Sequence, residues 1–230
     1  MRHYFVLVIY LFLFGFLQTN FFQELDAATM SASADAPIVD GLDIANYDSS
    51  TGSDKWWAGN SSAGMTIGQT FTTGTGAVVI RSVTFRIRNA TQPTKIYTIR
   101  VGEITGNVFN EIASETASQT VATADGDYWT WTLDTPVVLN PGSLYRVDVG
   151  LNTSTSSWQS GIPYSYTATP GSYGGGSRFR SGSDGNGVGN DTIDQTSGDR
   201  VFHIDLAQPD GLLMEFVAGN PSDDSTNSLI

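Results

Sequence analysis

Cysteine is absent from this chain of 230 residues, and the only histidines are His3 and His203. The lack of cysteine excludes disulfide bridges, thiolate nucleophiles and every cysteine-ligated metal site. With two histidines so far apart in sequence, one mature copy of the chain cannot build a site that needs several imidazoles. A catalytic triad of serine, histidine and aspartate would have to use His203, because His3 falls within an N-terminal leader.

Basic side chains are also scarce. The chain has 11 Lys and Arg against 23 Asp and Glu, which gives a net charge of -12 and a pI near 4.3. The basic residues are scattered rather than gathered in a stripe, and a scattered set does not neutralise a phosphate backbone or an anionic membrane surface. Nucleic acid is therefore excluded as a partner. Mild acidity of this kind is typical of extracellular proteins.

Long apolar runs are missing except for one, at residues 4–17, after a short basic start. Fourteen residues are short for a membrane span and suit the apolar region of a signal peptide. The small residues of an Ala-Ser-Ala motif that ends at Ala34 predict a signal peptide over residues 1–34, and a mature chain without a membrane span. Cleavage after Ala27 or Ala28, or an uncleaved N-terminal anchor, are the alternatives. Export without cysteine indicates a secreted or surface-located bacterial exoprotein.

The remaining chain divides by pattern into three parts. Residues 35–64 are irregular and read as a loop segment, residues 65–207 alternate regularly, and residues 208–230 form a C-terminal tail or the start of a truncated region. About 200 residues after the leader are enough for one sizeable core. We therefore predict a single domain.

A period of two in hydrophobicity marks the regular part of the chain. Segments of this kind alternate apolar and polar residues between Gly, Pro, Asn and Asp punctuation, which indicates antiparallel sheets with one solvated face. Two such sheets packed face to face make an all-β antiparallel β-sandwich, jelly-roll-like in type. The predicted inward-facing residues are Val83, Phe85, Ile87, Tyr97, Ile99, Val101, Trp129, Trp131, Leu133, Tyr145, Val147, Val149, Leu151, Phe202, Ile204 and Leu206.

The tryptophans of residues 126–151 could form a ligand platform or the inside of the sandwich. Trp129 and Trp131 alternate in register with Leu133, so we predict that they belong to the core. Pro141 and Gly142 suit the central positions of a type II turn, and we expect this turn to join the two flanking runs as a hairpin.

The order of these segments resembles a known class of bacterial surface proteins. "IGQTFTTG", "VIRSVTFRI", "GNVFNEIASET", "WTWTLDTPVVLNPGSLYRVDV" and "GDRVFHIDL" follow one another as in the β-sandwich ectodomains of choice-of-anchor and PEP-CTERM-associated exoproteins. The similarity covers roughly residues 65–207. It implies a secreted jelly-roll-like module of the cell surface. The tail "PDGLLMEFVAGNPSDDSTNSLI" departs from that pattern, because it lacks a Pro-Glu-Pro motif, an apolar span and a basic end. We expect either a fragment of a longer anchored protein or a released one.

An aromatic-rich stretch between the last two regular strands is the candidate ligand site. Flat rings can stack on sugar faces while Arg, Asp and Asn side chains hydrogen-bond the hydroxyls, and long loops rich in Tyr, Ser and Gly are often binding loops. The alternative is that "YGGGSRFR" contains further strands whose aromatics cover a sheet edge. The predicted ligand-binding residues are Trp158, Tyr164, Tyr166, Tyr173, Arg178 and Arg180.

A glycine-rich acidic loop over residues 183–194 is the candidate metal site. Calcium prefers six to eight oxygen ligands from a flexible loop, although the spacing is not that of an EF-hand. An Asx-rich turn that needs no ion is the alternative, and no other cofactor is indicated. The candidate ligands are Asp184, Asn186, Asn190, Asp191 and Asp194.

These features predict a secreted, non-catalytic module that binds polysaccharide or extracellular matrix. No catalytic residue stands out, because no spacing singles out a carboxylate pair from among Glu103, Glu111, Glu115 and the many aspartates. One alternative is a glycoside hydrolase or a lyase on the same scaffold; a lyase would use a tyrosine such as Tyr173 beside arginine. The other is a structural, self-assembling surface protein.

Overall fold

The computed structural model describes residues 27–48, 53–55, 66–88, 96–106, 108–151, 164–167, 172–181 and 198–209; for residues 53–55, 66–67, 151, 164–166 and 179–181 it describes the backbone alone. Within these ranges no helix is long and apolar enough to cross a membrane. The strands are β1 (Thr29–Ser33), β2 (Ile44–Asn46), β3 (Ser53–Lys55), β4 (Thr66–Thr72), β5 (Val78–Arg88), β6 (Ile96–Thr105), β7 (Val108–Ser118), β8 (Tyr128–Leu139), β9 (Leu144–Leu151), β10 (Tyr164–Tyr166), β11 (Arg178–Ser181) and β12 (Phe202–Ala207).

The strands form two antiparallel sheets. The five-stranded sheet has the order β11-β4-β9-β6-β7. In the seven-stranded sheet β5 is central: β8 and then β1 lie on one side, while β12 with β2 and β10 with β3 share the other side. The chain crosses between the sheets at most connections, and β6–β7 is a hairpin whose strands pair from Ile96 to Thr105. The predicted all-β antiparallel sandwich is confirmed.

Aromatic rings fill the space between the sheets. Trp129 and Trp131 of β8 are 2% and 0% exposed. The ring of Tyr97, from β6 in the other sheet, meets Trp131 edge-on at 5.5 Å and Trp129 at 6.0 Å between centroids. Phe85 of the central strand lies 6.4 Å from Trp131. The prediction that these tryptophans are core residues is confirmed, and so is the inward alternation of the other predicted residues except Leu151, whose side chain lies outside the described part.

The hairpin predicted between β8 and β9 is wrong. β8 pairs with β5 and β1, whereas β9 pairs with β4 and β6 in the opposite sheet. The turn therefore crosses from one sheet to the other, with φ of 68° at Gly142 and a 2.8 Å bond from its amide to the carbonyl of Gly74. An alternating pattern cannot tell these two arrangements apart, because both place every second residue in the core.

The sandwich extends beyond the predicted range of residues 65–207. β2 and β3 lie in the segment expected to be irregular, and β1 lies inside the predicted leader. β1 contributes Met30, which is 6% exposed, to the core. The strands before residue 65 are too short to show a clear period of two, so the sequence pattern did not reveal them.

We expect Trp131→Ala to lower the free energy of unfolding by about 3–5 kcal/mol, because truncation of a buried tryptophan leaves a large cavity. Denaturant titration measures this effect. Val138→Ala is the matched control, since Val138 lies on the same strand with 60% of its surface exposed; we expect a change within about 0.5 kcal/mol. Equal midpoints for the Trp131 variant and the unaltered protein would contradict this assignment of the core.

Candidate binding site

Of the predicted ligand-binding residues, the structure describes the side chains of Tyr173 and Arg178. Tyr164 and Tyr166 lie in β10, which pairs with β3 and with the end of β5. Arg178 begins β11 and is partly buried. Trp158 lies outside the described residues, and so does the side chain of Arg180. The ligand-binding role of this set stays a prediction.

One strand, β11, is present in the segment where the alternative interpretation expected a strand pair. β11 pairs with β4 at one edge of the five-stranded sheet. The turn before it is held on β4 by a 2.8 Å bond from the amide of Thr70 to the carbonyl of Ser177. A side chain at Gly176 would overlap the backbone of Thr70, so glycine is needed at this close approach. Part of the aromatic-rich stretch therefore serves as sheet edge.

Tyr173 has a structural contact as well as exposed surface. Its ring is partly buried and meets Phe202 of the core edge-on, with 5.4 Å between centroids. Its amide donates to Asp199 Oδ2 at 3.0 Å, and Asp199 Oδ1 accepts a 3.1 Å bond from Gln69 Nε2. Burial raises the pKa of the Tyr173 phenol, partly offset by a backbone hydrogen bond from Thr72. The phenol is therefore neutral at physiological pH.

The strand register brings the ends of four long connections to one end of the sandwich. The short turns at residues 73–77 and 140–143 join the two sheets at the opposite end. At the first end, which we name the long-loop end, β10 meets the last residue of β5 and β9 meets the first residues of β4 and β6. The connections that start from these strand ends are residues 56–65, 89–95, 152–163 and 182–197.

The connections that start from the long-loop end contain aromatic and acidic residues. The four connections carry Trp56, Trp57 and Trp158, together with the whole predicted calcium loop. Loops anchored side by side on a rigid sandwich are where binding residues concentrate in proteins of this architecture. The candidate calcium ligands lie outside the described residues. Within the described part of the chain, no three His, Asp or Glu side chains are grouped so that they could hold a metal.

A second cluster of charge lies on the outer face of the five-stranded sheet. Asp148 accepts 3.1 and 3.0 Å bonds from Nε and Nη2 of Arg100. Arg146 also donates to Asp148, from Nε at 2.9 Å and from Nη2. Arg100 reaches Glu111 as well, at 3.3 Å. The guanidinium carbons of Arg100 and Arg146 lie 4.8 and 4.2 Å from the ring centroid of Phe109. We call these five residues the arginine–aspartate cluster.

The alternation placed Arg100, Arg146 and Asp148 away from the core, as the structure shows, but the expected solvated face is wrong here. They are 3%, 0% and 0% exposed. Burial of ionised groups is costly unless each charge is paired and hydrogen-bonded, and this cluster meets that condition with two positive and two negative charges. The cluster therefore neutralises itself, which fits a structural role.

The sequence did not predict that Phe109 and Glu111 contact the arginines, because their position depends on a β-bulge. The pairing of β6 with β7 shifts between Val101 and Gly102, which leaves one extra residue on β7. Odd-numbered residues of β7 face the core after the bulge and the outer face before it. A Cβ atom at Gly102 would overlap the Phe109 ring and lie 2.5 Å from the carbonyl of Asn110, so the ring packs where glycine leaves room. No composition signal marks that position.

His203 alternates with the core residues Phe202 and Ile204, so it faces away from the core, and it is buried there. Its Nε2 lies 2.9 Å from Asp43 Oδ2, and the ring of Tyr47 stacks on it at 6.3 Å between centroids. The hydroxyl of Thr84, directly across the ladder, is bonded to Thr130 Oγ1 at 2.7 Å. The pair fastens the segment around β2 to the sheet. It does not resemble a triad in which histidine activates a hydroxyl.

Each buried carboxylate among the described residues is engaged in holding the fold. Glu115 accepts the amides of Asp134 and Thr135 at 2.7 and 3.1 Å. Asp43 accepts the amides of Asp40 and Leu206, both at 2.9 Å. Asp148 and Asp199 are bound as described above. A glycosidase needs one carboxylate to transfer a proton and another to attack or to activate water, so these four are poor candidates for either role.

We expect Asp148→Asn to lower the free energy of unfolding by about 3–5 kcal/mol, because it leaves two buried guanidinium groups without their shared counter-charge. Glu111→Gln is the matched control. The Glu111 side chain is 42% exposed. We therefore expect Glu111→Gln to lower the free energy of unfolding by at most about 1 kcal/mol. Denaturant titration at neutral pH compares the two variants. Equal losses would show that the cluster does not depend on Asp148.

We expect the stability contribution of Asp43 to depend on pH. Burial alone would raise its pKa, but hydrogen bonds from the amides of Asp40 and Leu206 and from His203 hold the pKa below its usual range. A lowered folded-state pKa stabilises the fold above the unfolded value of about 3.9, and this stabilisation is lost as the pH falls through the lower folded value.

In urea titrations at pH 7, the free energy of unfolding of Asp43→Asn should therefore be about 1.5–3 kcal/mol lower than that of the unaltered protein. The difference should shrink steadily below about pH 4. Asp48→Asn, at an exposed position near β2, is the control and should behave as the unaltered protein does at both pH values. A difference for Asp43→Asn that is the same at pH 7 and pH 2 would refute the assignment.

Comparison with known proteins assigns no family to this chain. No protein-family model matches the sequence, and no curated protein matches it. Among solved structures, the sandwich is similar to the cysteine protease and lectin-like domains of Cwp84, a surface layer associated protein of Clostridium difficile, at a TM-score of 0.38 and 11% identity. The match covers 65% of this chain and 37% of that one. No functional conclusion is drawn from so remote a similarity.

Proposed function

We propose that this protein is a secreted bacterial surface module that binds carbohydrate or extracellular matrix without chemical turnover. The resemblance to choice-of-anchor and PEP-CTERM-associated exoproteins points to the same setting. In this proposal the ligand binds the connections and does not contact the sheets of the sandwich. Its long-loop end presents aromatic and polar side chains to a polysaccharide.

The observation that carries the proposal is the register of the strands around the long-loop end. Three of the five tryptophans belong to connections that start there, and the other two are the core residues Trp129 and Trp131. In this proposal Trp56, Trp57 and Trp158 contact the ligand, because a flat ring gives large contact area at a low cost in side-chain entropy. The acidic residues 183–194 belong to the connection that starts from the end of β11, and their side chains are of the kind that binds calcium or sugar hydroxyls.

Binding is favoured over hydrolysis because of how the buried carboxylates are used. The four buried carboxylates among the described residues accept hydrogen bonds that tie strands and turns together. Exposed carboxylates remain, but a general acid needs an environment that raises its pKa. The one raised carboxyl pKa among the described residues belongs to Asp205, through burial and the nearby charge of Asp43. Asp205 lies on β12 within the seven-stranded sheet, away from the long-loop end.

Self-assembly is the second candidate, supported by the edge of β7. This strand of 11 residues ends the five-stranded sheet, and it exposes Val108 and Ile112 by 55% and 48%. An exposed edge strand is a template for pairing with another chain. The bulge and the bridge between Ala27 and Thr116 limit that edge, which is why binding is placed first. Sedimentation velocity on the purified protein would reveal self-association directly.

The test of the proposal is retention of the purified protein on a panel of soluble and insoluble polysaccharides, with calcium and with chelator. The sample must keep β1, because that strand belongs to the core. Supernatants are assayed for reducing ends and unsaturated products. Retention without product supports binding, and loss of retention with chelator assigns an ion to residues 183–194. Time-dependent product would replace the proposal by an enzyme, and neither retention nor product would favour the structural candidate.

We expect Trp158→Ala to weaken retention on the order of 2- to 12-fold, taking a stacked ring as roughly 0.5–1.5 kcal/mol. Its melting temperature should be unchanged. Val138→Ala is the matched control, since it removes an exposed apolar side chain at the opposite end of the sandwich. Equal weakening by both variants would argue against a site at the long-loop end.

A further inference from the structure

β1 closes one edge of the seven-stranded sheet. All five of its residues pair with β8, from Thr29 opposite Thr132 to Ser33 opposite Tyr128. β8 is the strand that carries both core tryptophans. β1 therefore covers the edge of the strand on which the core depends, and in its absence the backbone groups of β8 on that side would be left open.

Residues 27–33 also reach into the core and across to the other sheet. Ala28 and Met30 are 5% and 6% exposed and belong to the main core cluster. Ala27 forms a parallel bridge with Thr116 of β7, in the five-stranded sheet. This segment thus joins the two sheets on their otherwise open side.

These contacts bear on where an export leader can be removed. A cut after Ala34, at the Ala-Ser-Ala motif, would remove β1 entirely. It would leave a void where Met30 packs and an unpaired edge on β8, and protein interiors tolerate such voids poorly. A cut after Ala27 or Ala28 leaves β1 in place. Both positions follow the apolar run of residues 4–17 and offer the small residue that leader removal needs.

We propose that the leader is cleaved on the N-terminal side of Thr29, so that the mature protein begins at Ala28 or Thr29 and keeps β1 as its first strand. The step is hydrolysis of one peptide bond by a leader peptidase of the host. Water supplies the oxygen of the new carboxylate on the leader, and both of its protons go to the nitrogen, which becomes the new terminal ammonium group. The inference rests on the export proposed above, but not on carbohydrate binding.

The two bonds differ in what they leave at the new terminus. After a cut at Ala27 the new ammonium group belongs to Ala28, which is buried. After a cut at Ala28 it belongs to Thr29, which is exposed. A charged group is costly to bury without a partner, which favours the start at Thr29, whereas the start at Ala28 keeps the Ala28 side chain in the core.

The first experiment is export of the full chain, with a C-terminal tag, from a bacterium that has the general secretory pathway. Intact mass and N-terminal sequencing are then measured on the exported protein. A start at Ala28 or Thr29 is expected. A start at Asp35 would overturn the inference and leave secretion standing. An uncleaved chain in the membrane fraction would overturn the inference while keeping a surface location, and an uncleaved chain in the cytosol would overturn export as well.

The second experiment asks whether β1 stabilises the exported protein. Met30→Ser removes a buried side chain, and we expect the melting temperature to fall by about 5 °C or more. Thr29→Ser changes an exposed neighbour on the same strand and should leave it unchanged. If β1 were removed during export, both variants would have the same melting temperature as the unaltered protein, and this result would refute the proposal. The mass measurement decides the question separately if Met30→Ser fails to accumulate.

Discussion

Contact between Tyr97 and the two tryptophans of β8 holds the two sheets together. Tyr97 comes from the five-stranded sheet and meets both rings edge-on, while Phe85 packs beside Trp131 within the opposite sheet. Edge-to-face aromatic pairs add to the stability that comes from their large buried area. The chain has no cysteine, so no disulfide supports this layer. The sheets are therefore held by hydrophobic contact together with hydrogen bonds between them, such as those from the amides of Asp134 and Thr135 on β8 to Glu115 on β7.

Buried polar groups take up part of the role that disulfides have in many small exported proteins. Gln69 and Asp199 lie 130 positions apart in sequence and are joined directly, and Asp199 also binds the amide of Tyr173. Asp43 joins Leu206 across a separation of 163. Such bonds are favourable only where the desolvated groups find full sets of partners. They fasten irregular segments to a core that would otherwise offer those segments few apolar contacts.

Under the proposed function, different parts of the sandwich serve stability and recognition. The core, the arginine–aspartate cluster and the Asp43–His203 pair stabilise the sandwich and its outer faces, whereas the long connections start from one end of it. A rigid scaffold lets loops vary in sequence without loss of the fold. Tyr173 is the exception, because it packs on Phe202 while belonging to the aromatic-rich stretch. Its substitution would therefore affect stability as well as any binding.

The sequence by itself determined the fold class, the core faces of the long strands and the burial of Trp129 and Trp131. A period of two in hydrophobicity is a local property, and it is visible wherever a strand has one face in the core. Tertiary structure alone decided that β8 and β9 lie in different sheets, since alternation is the same in both arrangements. It also decided that Met30 belongs to the core, because β1 is too short to show a period. The bulge on β7 brought Phe109 and Glu111 to the outer face, where Arg100 and Arg146 are buried. Pairing partners, bulges and the contacts of short strands depend on residues distant in sequence, and no local pattern contains that information.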